Sequence, residues 1–271
     1  MKKRVIAAAV LLPLLLIVVL VLPKIFTGIL FGFMAAIGAY ELLVGTGFLK
    51  NIRLVGFAMV MAILVSLWSC LWTQTKVAYL GVLLFCCLLF AELLLTHTKF
   101  PFEKLTAVFF AGLVIPYLLS ALVRIHSSEA GRYFILLPFV IAFLSDTGAY
   151  FAGRAFGRHK LAPVISPNKT VEGVVGGVVA AVLGVVLYCF VLQIAFDFKV
   201  SYLYVPVYGI LGSLGAVFGD LSFSAVKRQT GIKDYGNLIP GHGGILDRFD
   251  SMIVVAPLTE ALMLLIPLVV K

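Results

Sequence analysis

Four carboxylates sit at the edges of apolar segments in the second half of the sequence: Asp146 in FLSDTGAY, Asp220 in FGDLS, and Asp247 and Asp250 in LDRFD. A charge in hydrocarbon costs about 2.5–3.5 kcal/mol even on insertion-based scales, so acids placed there need compensation. Arg154, Lys227, Lys233 or Arg248 could supply it as ion pairs, and Asp247 and Asp250 could simply favour a helix start through the dipole. A divalent cation is the other answer, since Mg2+ takes one or two carboxylates and fills its shell with water and phosphate oxygens. Four acids at a common depth favour the cation. On a continued helix Asp220, Ser224 and Lys227 fall at i, i+4 and i+7 on one face. Asp247, Asp250 and Ser251 are expected to share a face of the next helix.

The groups that could meet phosphate lie in the same region. PGHGG at 240–244 joins a proline that fixes φ to glycines that permit positive φ, just before a helix start. Its backbone N–H groups are expected to line an anion. Lys227, Arg228, Lys233, Arg248 and, from an earlier connection, Lys169 add full positive charge. Each basic residue, and His242 in its loop, has an ordinary reading as well, as flanking charge or as a satisfied loop histidine.

The segments that must position these residues are membrane helices. Hydrophobic residues make up 62% of the 271, and the mean hydropathy is +1.15, which excludes a water-exposed globule. A spanning helix needs roughly 20 apolar residues. About nine such runs occur, near 5–22, 25–44, 54–72, 77–95, 105–123, 133–151, 173–196, 202–222 and 251–270. Their lengths are helical, so an all-α polytopic integral membrane bundle is expected and not a barrel. The basic start MKKR could open a signal peptide, but the apolar run is too long and lacks a small-residue cleavage site, so a retained first helix is expected.

The net charge of +9 is a topology signal more than a nucleic-acid one. With the N-terminus inside, 15 of the 21 Lys and Arg fall on inner connections and six on outer ones. The two longest polar connections, 152–172 and 223–250, then emerge on the same inner side, where they can meet. Gly209, Gly212, Gly215 and Gly219 form a small-residue stripe for close helix packing. The four cysteines read as small core residues, and the Walker A, GxGxxG and helical HExxH patterns do not occur. A single transmembrane domain over 1–271 is expected, with helices of 1–130 followed by 131–271 carrying the polar loops. Glu41, Glu92 and Glu260 find no role in this reading.

The stretch SAVKRQTGIKDYGNLIPGHGGILDRFD (224–250) resembles the signature of the phosphatidate cytidylyltransferase family: S-x-x-K-R, four residues, K-D, five residues, P-G-H-G-G-x-x-D-R-x-D. Ser224, Lys227, Arg228, Lys233, Asp234, Pro240, Gly241, His242, Gly243, Gly244, Asp247, Arg248 and Asp250 match it. SDTGAYFAGRAFGRHKLAPVISPNKTVEG is similar to a second block of that family, while the N-terminal half is similar only in hydropathy. The resemblance implies that CTP and phosphatidate give CDP-diacylglycerol and pyrophosphate with Mg2+, at the cytoplasmic face of the cell's inner membrane. It implies catalytic roles for Asp220, Asp247, Lys227 and Arg228, and metal binding by Asp220 and Asp247 with Asp146 and Asp250 beside them. Nucleotide contact falls to Lys169, Ser224, Lys233, His242, Gly243, Gly244 and Arg248. Membrane lipids are the further partners and nucleic acid is not one; a second cation and a homodimer are compatible with the pattern. The rivals are an ion or proton transporter and a lipid kinase moving the γ-phosphate. A CDP-alcohol phosphotransferase is disfavoured because its D-G-x-x-A-R pattern is absent.

Overall fold

The structure, a computed structural model, describes residues 2–71, 75–96, 100–238 and 243–269. Pro240, Gly241 and His242 of the glycine-rich loop lie outside the described residues. Each of the nine apolar runs contains helix, and the chain is a polytopic membrane protein. In order these are α1 (Lys2–Leu20), α2 (Lys24–Tyr40), α3 (Ile52–Cys70), α4 (Thr75–Leu95), then α5 (Phe102–Phe109), α6 (Ile115–Leu119) and α7 (Ala121–Ser127) along one run. They continue with α8 (Gly131–Phe134), α9 (Leu137–Phe156), α10 (Val171–Phe196), α11 (Val205–Gln229), α12 (Leu246–Phe249) and α13 (Met252–Leu265). Among the described residues seven helical runs, at 24–45, 52–70, 77–95, 102–127, 131–156, 171–196 and 205–229, are long and apolar enough to cross a membrane.

The last run is shorter than its hydropathy suggested. α13 has 14 residues, because Pro267 disfavours helical backbone at the residue before it and Ile266 leaves the helix at φ −139° and ψ 72°. The chain then turns extended, with Val269 bridging Val200 and the Leu268 carbonyl accepting from the Ser201 amide.

The helices assemble into two compact units. One comprises Met1–Glu129 and Gln229–Phe249, the other Ala130–Arg228 and Asp250–Lys271. In the first, α2 lies along α3, and its final turn, Glu41–Gly45, is π-helical. The 229–249 loop packs on the same helix: Phe249 meets Phe31 edge-on at 6.3 Å between ring centres, and the Leu246 side chain reaches Gly38. The loop that carries the glycine motif therefore folds with the N-terminal helices and not with the second half of the chain.

In the second unit α9 and α10 are neighbours joined by a hairpin of β1 (Lys160–Ala162) and β2 (Ser166–Thr170), antiparallel with Lys160 opposite Thr170 and Ala162 opposite Ser166. Thr170 ends the hairpin and caps α10, its hydroxyl accepting from the Gly173 amide at 3.1 Å. Glu172 in the first turn accepts from the amides of Arg158 and His159 and meets the His159 ring at 2.6 Å, which ties down the hairpin's entry. The glycine stripe of α11 faces three partners in turn: Val182 of α10, Ile141 of α9, and Leu258 with Ser251 at α13 and the turn before it. At ~1.5 Å per residue, the 25 residues of α11 extend about 37 Å, longer than a hydrocarbon core of ~30 Å. Its last turns, with Ser224, Lys227 and Arg228, have helix to spare beyond the apolar layer.

Candidate active site

α11 runs unbroken through Gln229, and its acid sits in a defined set of contacts in the second unit. The Asp220 carboxylate accepts through Oδ1 from the Ser224 hydroxyl at 3.1 Å. Its Oδ2 pairs with the Lys169 ammonium at 2.5 Å. Lys169 arrives on β2, and the hairpin is tied to the end of α11 where Arg228 Nε donates to the Ile165 carbonyl at 3.2 Å. Two segments that are distant in sequence thus deliver a lysine and an arginine to one helix end.

Asp250 joins this set from the turn before α13. A Cβ on Gly219 would lie 2.6 Å from the Asp250 carbonyl oxygen, so the bare glycine lets that turn close onto α11. The Asp250 side chain is 8% exposed and Oδ1 accepts from the Ser251 amide at 2.7 Å. Burial pushes its carboxyl up to about 7, and the negative charges of Asp220 and Asp146 push the same way against the Ser251 amide and Lys227. The acids expected at a common depth therefore feel one another within this unit: Asp146 from α9, Asp220 from α11 and Asp250. Lys227 is itself buried. Three carboxylates and the two lysines Lys169 and Lys227 form a strongly charged set on four elements.

The expected shared face for Asp247, Asp250 and Ser251 is interrupted. α12 ends at Phe249 and α13 begins at Met252, and the intervening turn divides the three residues between the two units. In its own unit Asp247 closes a loop: Oδ2 accepts from the amides of Tyr235 at 2.8 Å and Gly244 at 2.9 Å. Gly243 before it takes φ +84°, the left-handed backbone that glycine permits most cheaply.

A second carboxylate acts on the same segment, and its role was not legible in the sequence. Glu41 Oε1 accepts from the Ile245 amide at 3.0 Å, and Oε2 from the Leu246 amide at 2.8 Å. The Gly244 amide, expected with the rest of PGHGG to be open to an anion, and those of 245 and 246 after it are thus taken by two carboxylates. A glutamate near the end of an apolar run was the one available signal. Glu92, equally unassigned from sequence, accepts from Asn51 and Arg53 and so pins α4 to the start of α3. Lys233 and Arg248 are exposed on the loop. A cavity of about 690 Å3 opens beside it, walled by α2 residues including Tyr40 and Glu41, by Met59, and by 234–238.

Among the described residues no three His, Cys, Asp or Glu side chains converge as a ready metal centre. The carboxylates of the second unit still suit a hard cation that needs only one or two protein oxygens and takes the rest from phosphate and water.

Similarity to known proteins runs along most of the chain. The cytidylyltransferase family model matches residues 2–266. The phosphatidate cytidylyltransferase of Staphylococcus epidermidis is 34% identical over 87% of this chain and 89% of its own length. That of Staphylococcus saprophyticus is 39% identical over 65% of this chain and 66% of its own, and that of Bacillus subtilis is 39% identical over 61% and 62%. The two alignments at 39% identity each span just under two thirds of the relative.

Proposed function

The chain belongs to the cytidylyltransferase family, and from that premise we infer that it is a phosphatidate cytidylyltransferase, a membrane nucleotidyltransferase that makes CDP-diacylglycerol from CTP and phosphatidate. The observation that carries this reading is the similarity to the S. epidermidis enzyme over nearly the whole of both chains. In the reaction an anionic oxygen of phosphatidate attacks the α-phosphorus of CTP. A new P–O bond forms, the bond to the β-phosphate oxygen breaks, and pyrophosphate leaves with that electron pair. The nucleophile is already ionised, so no serine, cysteine or general base is needed. The obstacle is repulsion between a phosphomonoester and a triphosphate, and catalysis consists of neutralising and aligning them.

The charged set of the second unit suits that task. Asp220, with Asp250 and Asp146 beside it, would hold Mg2+; within its own unit Asp247 is a separate candidate ligand. When bound, the ion supplies charge neutralisation and polarises a phosphoryl oxygen. Lys169, Lys227 and Arg228 lie on the segments around Asp220 and would carry phosphate oxygens, while Ser224 holds Asp220 in orientation through its hydroxyl. Lys233, Arg248 and the 242–244 segment are the loop's contribution to nucleotide binding. The bias of basic residues toward the inner connections supports a site at the cytoplasmic face of the cell membrane. There the lipid can enter from the leaflet and CTP from solution.

The test is to incubate purified protein with labelled CTP, phosphatidate and Mg2+ and to identify the products. A CDP-lipid with stoichiometric pyrophosphate is expected. Transfer of the γ-phosphate to the lipid, or ion flux in liposomes without CTP, would replace this reading with one of its rivals.

A further inference from the structure

We propose that Glu41 is a positioning residue for the glycine-motif loop: an acid on the second helix that sets the shape of GGILD by accepting its main-chain hydrogens. The consequence for turnover rests on the activity inferred above; the consequence for loop structure does not.

The geometry is specific to this acid. Glu41 is 4% exposed, and each of its oxygens takes one of two consecutive amides, Ile245 and Leu246. Consecutive amides that point the same way are free of intrahelical partners at the start of a helix, and α12 begins at Leu246. The neighbouring glycines leave room for the carboxylate where a side chain would collide with it. A Cβ on Gly236 would stand 2.6 Å from Glu41 Oε1, and at Gly244 the three nearest atoms a Cβ would meet, all at 2.5 Å, belong to Glu41. Gly243 has a positive φ to account for it, but Gly244 has none; its missing side chain is explained by the glutamate. The π-helical turn starts at Glu41 itself, and single π-turns inside α-helices are common at functional positions. At the far end of that turn Gly45 lies against the Tyr235 carbonyl with no space for a side chain.

Glu41 and Asp247 therefore divide four amides between them: Asp247 takes Tyr235 and Gly244, Glu41 takes Ile245 and Leu246. Glu41 and Tyr235 also line the 690 Å3 cavity, a volume in the range of small-molecule sites. Loss of Glu41 releases two amides on one side of the motif and lets the loop drift from its position. The residue touches no reacting atom; it acts through the loop.

The wild type is compared with Glu41→Ala, Glu41→Gln, Gly244→Ala and the double variant Glu41→Ala/Gly244→Ala. Amide hydrogen exchange should speed up at 245 and 246 in Glu41→Ala, with the α9–α10 helices unchanged. In steady-state assays kcat/KM for CTP should fall about 100-fold, the scale of an ångström-sized misplacement, while KM for phosphatidate stays within about twofold. Glu41→Gln keeps one acceptor oxygen and should recover about tenfold of the loss, the lower end of what supporting partners contribute. Gly244→Ala should be severe alone and cost clearly less in the Glu41→Ala background, because the nearest atoms the new methyl would meet are gone. Unchanged exchange at 245–246, or strictly additive effects of the two substitutions, overturns the proposal. Should Glu41→Ala fail to fold, exchange at 245–246 in the Gln variant and in Gly244→Ala tests the same contact, and no change in either overturns the proposal equally. A wild-type protein that exchanges as described but does not turn over CTP would leave Glu41 its loop and remove the activity.

Discussion

Replacing Asp250 with asparagine separates what this carboxyl costs the fold from what it contributes to the site. The group is 8% exposed, and burial together with Asp220 and Asp146 moves it from 3.8 to about 7. At ~1.4 kcal/mol for each pH unit, keeping it ionised costs up to about 4 kcal/mol. The sign follows from proton binding. Between roughly pH 4 and 7 the folded chain holds a proton that the unfolded chain has released, so the cost is absent below 4, grows across that window and is complete above 7. Asparagine carries no charge and keeps an oxygen for the Ser251 amide, which now meets Oδ1 at 2.7 Å.

Without divalent cation, Asp250→Asn should therefore be the more stable protein at about pH 8, by up to ~4 kcal/mol, and indistinguishable near pH 4. The assay is thermal unfolding in detergent with EDTA across that pH range, where each kcal/mol is worth about 2–4 °C for a chain of this size. With Mg2+ and CTP present the advantage should shrink, and turnover should drop, because the repulsion removed is the same negative charge that attracts the cation. A variant that is no more stable at pH 8 than the wild type, or whose advantage is the same at all pH values, refutes the electrostatic account of this cluster.

Asp220→Asn should lower turnover about 100-fold or more with little loss of stability, since its contacts with Ser224 and Lys169 sit at a partly exposed helix end; near-normal turnover would remove the metal site proposed there. Lys227→Ala should raise the CTP requirement more than the phosphatidate requirement, and the reverse order in the kinetics would assign this lysine to the lipid. Gly209→Ala puts a methyl 2.6 Å from the Val182 Cα, a backbone atom that cannot swing aside; unfolding should become easier by ~1–3 kcal/mol while both KM values hold.

Hydropathy was enough to find helix in each of the nine apolar runs, because hydrocarbon leaves the chain almost no other way to satisfy its backbone, but not the short α12 in the polar connection. Where each helix ends was harder. α13 stops at a proline the hydropathy count passed over, and α11 continues past its apolar part because Ser224, Lys227 and Arg228 are tolerated on exposed helix. The β1–β2 hairpin was hidden in a polar connection of the kind that reads as irregular. Spacing along α11 correctly suggested that Asp220 and Ser224 meet, since both lie on one continuous helix. It failed for Asp247 and Asp250, since a turn at 250–251 resets the period. Pairings across long separations, such as Lys169 with Asp220 or Glu41 with Ile245, leave no periodic trace at all.

The acids of this chain divide by what surrounds them, and the division has a chemical consequence. Glu41 and Asp247 each accept from two amides of one loop, and these contacts hold its backbone. Asp250 accepts from the Ser251 amide and lies beside Asp220 and Asp146, and burial with their charge raises its proton affinity to about 7. A fold that had only to be stable would replace such a group or neutralise it with an arginine. On the function proposed above, retaining it beside Asp220 and Asp146 fits a site where positive charge comes and goes with substrate, because a site that would bind a cation with each triphosphate and release pyrophosphate cannot carry a permanent counter-ion for every acid. Lys169 on Asp220 is a partial substitute, held on a hairpin by contacts outside the carboxylate set; on the function proposed above it would turn from the acid toward a phosphate oxygen when Asp220 held an ion.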